Sequence, residues 1–430
     1  MRGVTLQLHD ASPEQLRQWE RDLAGRYADL QGAKLNLDLT RGKPSAGQLS
    51  LSNALDGLLA GNYIAPDGTD TRNYGGPDGL PELRALYAQV LGLQADEVLI
   101  GGNSSLTLMH QVLSFAHFFG LRKPEDAWTR EGQVKFIALV PGYDRHFAVC
   151  EHLGITMIPV PITSAGPDMD QVERLVASDR SIKGIWCVPR FSNPSGEVYS
   201  DAVVERMAGL GKISAPNFLI MWDNAYALHA LDDDAPALAS LMDACRRQGS
   251  EDSVIMFGST SKVTFAGAGV AFLGASKNNL AALRKHLSYV TIGSDKVNQL
   301  RHLRFMPDFE ALEAQMRRHA ALLKPRFDTV LRHLHEGLAG SGMGDWTEPR
   351  GGYFISFNTL PGLAREVVSL AAGAGVKLTP AGATWPYGKD PEDRNIRIAP
   401  SVPSLEEIER AMQIFVVCVQ LATVRKKLAR

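Results

Sequence analysis

Seven short apolar runs punctuate the middle of the chain: EVLIGG (97–102), VKFIALV (134–140), ITMIPVPI (155–162), IKGIWCVP (182–189), FLIMWDN (218–224), SVIMFGST (253–260) and VAFLGAS (270–276). Most are rich in Val, Ile and Phe, carry few internal charges, and are separated by stretches with a helical pattern. Continuous apolar runs of this length suit strands covered on both faces, the condition of a mostly parallel α/β sheet. The pattern predicts a mostly parallel seven-stranded sheet, with the last two runs, joined by a short loop, as its one antiparallel pair.

The two ends read differently. Residues 1–60 hold a helix at about 12–30, a short strand KLNLDLT and a loop RGKPS. Residues 310–430 hold a long charged helix, then YFISFN, VKLTP and NIRIAP as short strands between helices. A capping box, Ser404 to Glu407, opens a C-terminal helix that ends in RKKLAR, so its charges oppose the helix dipole. The expectation is a large domain over 61–305 and a smaller α+β domain made of 1–60 and 306–430. A ligand would then sit at the carboxyl ends of the large sheet's strands, where the small domain closes on it.

Several polar residues fall at those strand ends. Asn103, Ser104 and Ser105 follow the first run, Asn193 the fourth, Asp223 and Tyr226 the fifth, and Lys262 the sixth, in FGSTSKVTFAGAG. Singly each has a plainer reading: NPSG is a turn, an Asp or Asn-Ser-Ser after a strand is a helix cap, and a lysine points to water. Together they suit one chemistry. A lysine in an enclosed site has a lowered pKa and forms an imine with an aldehyde such as pyridoxal 5'-phosphate (PLP). The cofactor's ring nitrogen calls for a buried carboxylate, which Asp223 supplies, and its ring oxygen for donors, which Asn193 and Tyr226 supply. Its phosphate suits a helix N-terminus with hydroxyls, here Asn103-Ser104-Ser105 and Ser259.

The ordered set LTRGKPS, NYGGPDGLPELR, GGNSSL, PGY, NPSG, DNAY, STSK, GGYF and NIRIAP, spread over nearly the whole chain, resembles a fold-type I PLP-dependent class I/II aminotransferase. STSK followed by TFAGAG is similar to the MocR-like aspartate aminotransferase subgroup. The resemblance implies that Lys262 holds the cofactor covalently and moves the substrate proton. It implies that Asp223 pairs with the ring nitrogen, that Asn193 and Tyr226 bind the ring oxygen, and that Tyr143 stacks on the ring. Ser259 and Ser261 of STSK would line the phosphate, Tyr74 would reach the phosphate of a neighbouring subunit in a homodimer, and Arg397 and Gly42 would meet the substrate α-carboxylate. Arg41 is a candidate for a distal carboxylate, with a surface role as the other reading. The substrates implied are an amino acid and a 2-oxo acid, aspartate and 2-oxoglutarate by branch. The same scaffold also carries aromatic and aminoadipate transaminases, β-lyases and, as a further alternative, non-catalytic PLP-sensing domains.

One position departs from the family pattern: no arginine follows Lys262 closely, the next being Arg284, so a phosphate cation is missing. Lys296 and Arg301 are the candidate substitutes. MocR-type regulators add a winged helix-turn-helix domain, for which this chain leaves no room, since the site motifs begin by residue 40.

Composition narrows the rest. Of 430 residues, 45% are hydrophobic and 21% charged, as in an ordinary soluble globular protein. The net charge of −2 gives no field to hold nucleic acid or an anionic membrane. The N-terminus lacks the apolar core of a signal peptide, and IFVVCVQLATV (414–424) is too short to span a bilayer. The four cysteines form no CxxC pair and no zinc spacing, so no metal is expected, and buried thiols in a reducing cytoplasm are the reading. His146 and His229 lie near site motifs without metal spacing and read as satisfied structural histidines. Trp385 is a candidate for the substrate mouth or the domain interface.

Overall fold

A computed structural model describes residues 7, 8 and 11–429; the first six residues of the N-terminal segment read above lie outside the described residues. All seven apolar runs are strands of one sheet. They are β2 (Val98–Ile100), β3 (Lys135–Val140), β4 (Thr156–Thr163), β6 (Ile182–Cys187), β7 (Leu219–Asp223), β8 (Val254–Ser259) and β9 (Ala271–Ala275). An eighth, two-residue strand, β5 (Gly166–Pro167), folds back on the end of β4. The spatial order is β2-β9-β8-β7-β6-β3-β4-β5.

The β3, β4, β6, β7 and β8 pairings are parallel. The expectation of one antiparallel pair is corrected: β9 runs antiparallel to both β8 and β2, because it is inserted between them. That places β2 parallel to β8, so the carboxyl ends of β2, β3, β6, β7 and β8 share one edge. Both β6 and β7 are buried at every position, which is why their sequences show no polar alternation.

The chain ends share a second core. Leu16, Leu23 and Leu37 pack with Phe327, Val330 and Leu334 of the helix Phe309–Leu338 and with Phe415, Val417 and Leu421 of the helix Leu405–Leu428. The Ser404–Glu407 capping box is formed in both directions. A three-stranded antiparallel sheet, β10 (Gly344–Trp346), β11 (Ile355–Thr359) and β13 (Asn395–Ile398), lies against these helices, and β1 (Leu37–Asp38) pairs in parallel with β12 (Val376–Lys377). Val188, Phe191 and Tyr226, which follow β6 and β7, belong to this same core, so the two cores meet at the edge where the strand-end residues converge.

Among the described residues no helix is long and apolar enough to cross a membrane.

Candidate active site

Lys262 sits in the turn that ends β8. Its Nζ lies 5.0 Å from the centre of the Tyr226 ring and 6.0 Å from that of Tyr353. Burial pulls its ammonium below the ordinary lysine range, and the Asp223 carboxylate pulls the other way. Asp223 is the last residue of β7 and is 2% exposed. Its Oδ2 is 3.0 Å from His146 Nε2, while its Oδ1 is buried with no hydrogen-bond partner. His146 in turn stacks flat on Trp186, ring centres 4.1 Å apart and planes 6° apart.

Tyr143 opens the helix Asp144–His152 and meets the His146 ring edge-on at 4.9 Å. Burial, with Asp223 adding to it, pushes the Tyr143 phenol up to about 12. Tyr226 is buried, and burial raises its phenol too, with Tyr143 and Asp223 contributing. Arg397 projects from β13. Its Nη1 donates to Asn193 Oδ1 at 3.2 Å and to Asp144 Oδ1 at 3.1 Å, and its guanidinium lies 4.8 Å from the centre of the Phe354 ring. Its Nε is buried without a partner. Gly42 lies against Phe354: a Cβ there would fall 2.3 Å from Phe354 Cζ.

The helix Ser105–Ser114 begins at the same edge. Ser104 occupies its N-cap in extended backbone, yet its side chain makes no capping bond, so the first-turn amides keep their N–H groups free. Next to it, Ser259 and Ser261 share a hydroxyl contact of 3.1 Å, and Ser261 donates to the Asn103 carbonyl at 3.3 Å. The Asn103 side-chain amide is bonded to the Gly267 carbonyl at 3.2 Å and braces the glycine loop.

These residues fit the cofactor expected from the sequence. An orphaned, buried carboxylate oxygen at Asp223 is an acceptor waiting for a donor such as a protonated ring nitrogen. The uncapped helix start with two serines suits a phosphate. The amine of Lys262 stands among the aromatic rings that a flat ligand needs.

Other candidates are placed differently. Lys296 Nζ donates to the Gly75 carbonyl at 2.6 Å, and Arg301 to Asn298 Oδ1 at 2.7 Å. Among the described residues no Lys or Arg side chain bonds to Ser104, Ser105, Ser259 or Ser261. Arg41 is exposed, and Tyr74 is 84% exposed. Trp385 is partly buried and packs against the core cluster that includes Phe136, Phe147 and Trp186. The reading of His146 and His229 as structural histidines needs amending. His146 is satisfied, but by Asp223, and His229 Nε2 is 3.4 Å from the Lys262 carbonyl. The one sequence signal for His146 was its position one turn into the helix that PGY opens.

The profile of the aspartate amino-transferase family matches residues 11–430. An aspartate aminotransferase of Corynebacterium glutamicum is 44% identical over 423 residues, 98% of this chain and 97% of that protein. The crystal structure of an aspartate transaminase from Corynebacterium glutamicum superposes with a TM-score of 0.94 at 43% identity, covering 98% of this chain and all of that one. An alpha-aminoadipate aminotransferase from Thermus thermophilus, solved with N-(5'-phosphopyridoxyl)-L-leucine, shares the fold at a TM-score of 0.72 and 21% identity, over 98% of this chain and 96% of its own.

Proposed function

The chain belongs to the aspartate amino-transferase family of PLP-dependent, fold-type I transaminases, and from that premise we propose that it exchanges an amino group between L-aspartate and 2-oxoglutarate in two half-reactions. The observation that carries the reading is the unpartnered Asp223 Oδ1 beside Lys262 and the Arg397–Asn193 pair. The substrate pair rests on the Corynebacterium relative and on the TFAGAG loop of the MocR-like branch.

When bound, PLP supplies an aldehyde for an amine and a ring that withdraws electrons. The chain's own residues would do the rest. Asp223 would hold the ring-nitrogen proton at Oδ1 while His146 holds Oδ2. Asn193 and Tyr226 would bind the ring oxygen, and Tyr143 would cover one ring face. Ser104, Ser105, Ser259, Ser261 and the Asn103 backbone would hold the phosphate. Arg397 would hold the substrate α-carboxylate, a task that suits the guanidinium fork, with Gly42 leaving room for it. Lys262, its ammonium lowered by burial, would carry the α-proton between its two positions.

A homodimer, a cytoplasmic location and the division into 61–305 against 1–60 with 306–430 complete the reading. Tyr74, Tyr289 and Ile292 are 84%, 81% and 66% exposed, and their segments touch, since a Cβ on Gly293 would lie 2.8 Å from the Gly75 carbonyl. An exposed apolar patch of this kind suits a second copy of the chain. All four cysteines are free and buried, as suits a reducing compartment.

The test is an absorbance spectrum of the purified protein. The bound-cofactor band should change on adding L-aspartate and return on adding 2-oxoglutarate. A band unmoved by L-aspartate but moved by another amino acid overturns the substrate assignment; a band moved by none of them overturns the transaminase reading.

A further inference from the structure

The turn that carries Lys262 has few side chains with which to anchor itself, because VTFAGAG follows the lysine. Beyond the Thr260 hydroxyl, which meets Thr264 at 3.0 Å and accepts from the Val270 amide at 2.8 Å, its anchors come from other elements. His319, on the helix Phe309–Leu338, meets the Val263 carbonyl through Nε2 at 3.0 Å, and Gln315, one turn earlier, donates to the same carbonyl at 3.0 Å. His302, on the helix Lys296–Phe305, meets the Thr264 hydroxyl at 2.9 Å, and Asn298 of the same helix donates to the carbonyls of Ala268 and Gly269. With His229 on the Lys262 carbonyl, three consecutive residues each end on an imidazole from a different element.

The contacts of His319 point to a neutral ring; the Gln315 amide nitrogen, 3.2 Å from its Nε2, sends its own hydrogens to the Val263 carbonyl and the Ser52 hydroxyl. A carbonyl only accepts, so His319 Nε2 carries the proton; its Nδ1 then accepts from the Gln48 amide at 3.1 Å. A second proton on that ring would face the amide donor. His302 Nδ1 donates to the Asn298 carbonyl at 2.9 Å, and its Nε2 meets the Thr264 hydroxyl, which also contacts Thr260. Burial works in the same direction, holding His302 and His319 at about 4 and His229 well below its ordinary value.

His319 has a second line to the lysine. The other Gln48 amide hydrogen goes to the Tyr353 hydroxyl at 2.9 Å, and the Tyr353 ring is one of the two beside Lys262 Nζ. His319 thus touches the backbone one residue past the lysine and, through Gln48, the ring next to its amine. Neither contact reaches substrate.

We propose that His319 is a positioning residue of the reaction, a neutral donor that fixes the Val263 carbonyl and, through Gln48, the Tyr353 ring, and so holds the Lys262 amine in register with Asp223 and Arg397. The inference rests on Lys262 being the cofactor lysine. A misplacement of about 1 Å at a reacting group costs up to about a hundredfold in rate.

The experiment compares the PLP-loaded parent with His319→Leu, which removes the donor, and His319→Gln, which keeps an amide donor. Three quantities are read: kcat and KM with L-aspartate, the pH midpoint of the bound-cofactor absorbance without substrate, and the melting temperature. His319→Leu should lower kcat about tenfold or more, leave KM within about twofold because Arg397 is untouched, and move the midpoint. His319→Gln should recover most of the kcat and the midpoint. The proposal is overturned if the His319→Leu midpoint and kcat equal the parent's, or if both variants lose activity only in step with melting temperature while the midpoint stays fixed. A parent that shows no bound-cofactor band after loading with PLP would instead sink the assignment of Lys262, so the two failures are distinguishable.

Discussion

The Nε2 atom of His146 stands 3.0 Å from one oxygen of Asp223 and leaves the other oxygen buried and unpartnered. The carboxylate is therefore aimed. The flat stack of His146 on Trp186 fixes the ring, and the ring fixes the carboxylate. His146→Phe keeps the stack and removes the donor. It should lower kcat about tenfold to a hundredfold while PLP still binds, the usual size of an effect on a group that orients a ligand's partner. Asp223→Ala should cost more in both rate and PLP affinity. Steady-state rates and a spectral titration with PLP separate the two.

Lys262→Ala should abolish transamination and covalent retention of PLP with the fold intact. The turn's backbone is anchored by His319, Gln315 and Asn298, none of which needs the lysine side chain. Mass spectrometry after borohydride reduction should find PLP attached at Lys262 in the parent and nowhere in the variant. Normal turnover by Lys262→Ala would remove the central assignment.

The large sheet was legible because its strands are buried on both faces and so carry unbroken apolar runs; β6 and β7 are the clearest cases. β10 was missed because Gly-Asp-Trp has no apolar run and stays partly exposed. KLNLDLT yields only two strand residues, since the Asp38 carboxylate takes the Thr40 amide at 2.9 Å and turns the chain. Asp223, Asn193 and Lys262 were legible as polar residues at strand ends. His146, His229 and His319 were not, because their partners are set by packing between elements far apart in sequence. No local pattern separates a histidine that braces a carboxylate or a carbonyl from one that merely fills space.

Gly42→Ala tests the support beneath Arg397. The added methyl would fall 2.3 Å from Phe354 Cζ, and the loop cannot easily retreat, because the Thr40 and Lys43 carbonyls are held by Thr379 and Ser401. Phe354 must move, and Arg397 lies on its ring. KM for the amino acid should rise about tenfold with the cofactor spectrum unchanged, since the loss falls on ground-state carboxylate binding. Gly47→Ala, where the nearest side chain is 3.8 Å away, should match the parent.

The buried histidines also predict how stability depends on pH. His302 and His319 sit at about 4 when folded and return to about 6.5 when unfolded. Above pH 6.5 the rings are neutral in both states and their contribution is full. As pH falls from 6.5 toward 4 the unfolded chain takes up protons that the folded chain refuses, so stability drops, by up to about 1.4 kcal/mol per pH unit for each ring. His229 adds to the same trend. Glu197 opposes it: burial raises its carboxyl from 4.5 to about 7, so acid favours its folded form over the same range. It is one partly exposed group against three buried rings, and the rings should prevail. Asp179, lowered to about 2, acts only below this window. The melting temperature of the parent should fall steadily between pH 6.5 and 4.5. The double variant His302→Gln, His319→Gln should melt lower at pH 7.5 but show a much flatter slope, with His229 left against Glu197. A double variant whose slope matched the parent's would mean that these two rings are not the neutral, buried clamps on the Lys262 turn that their contacts describe.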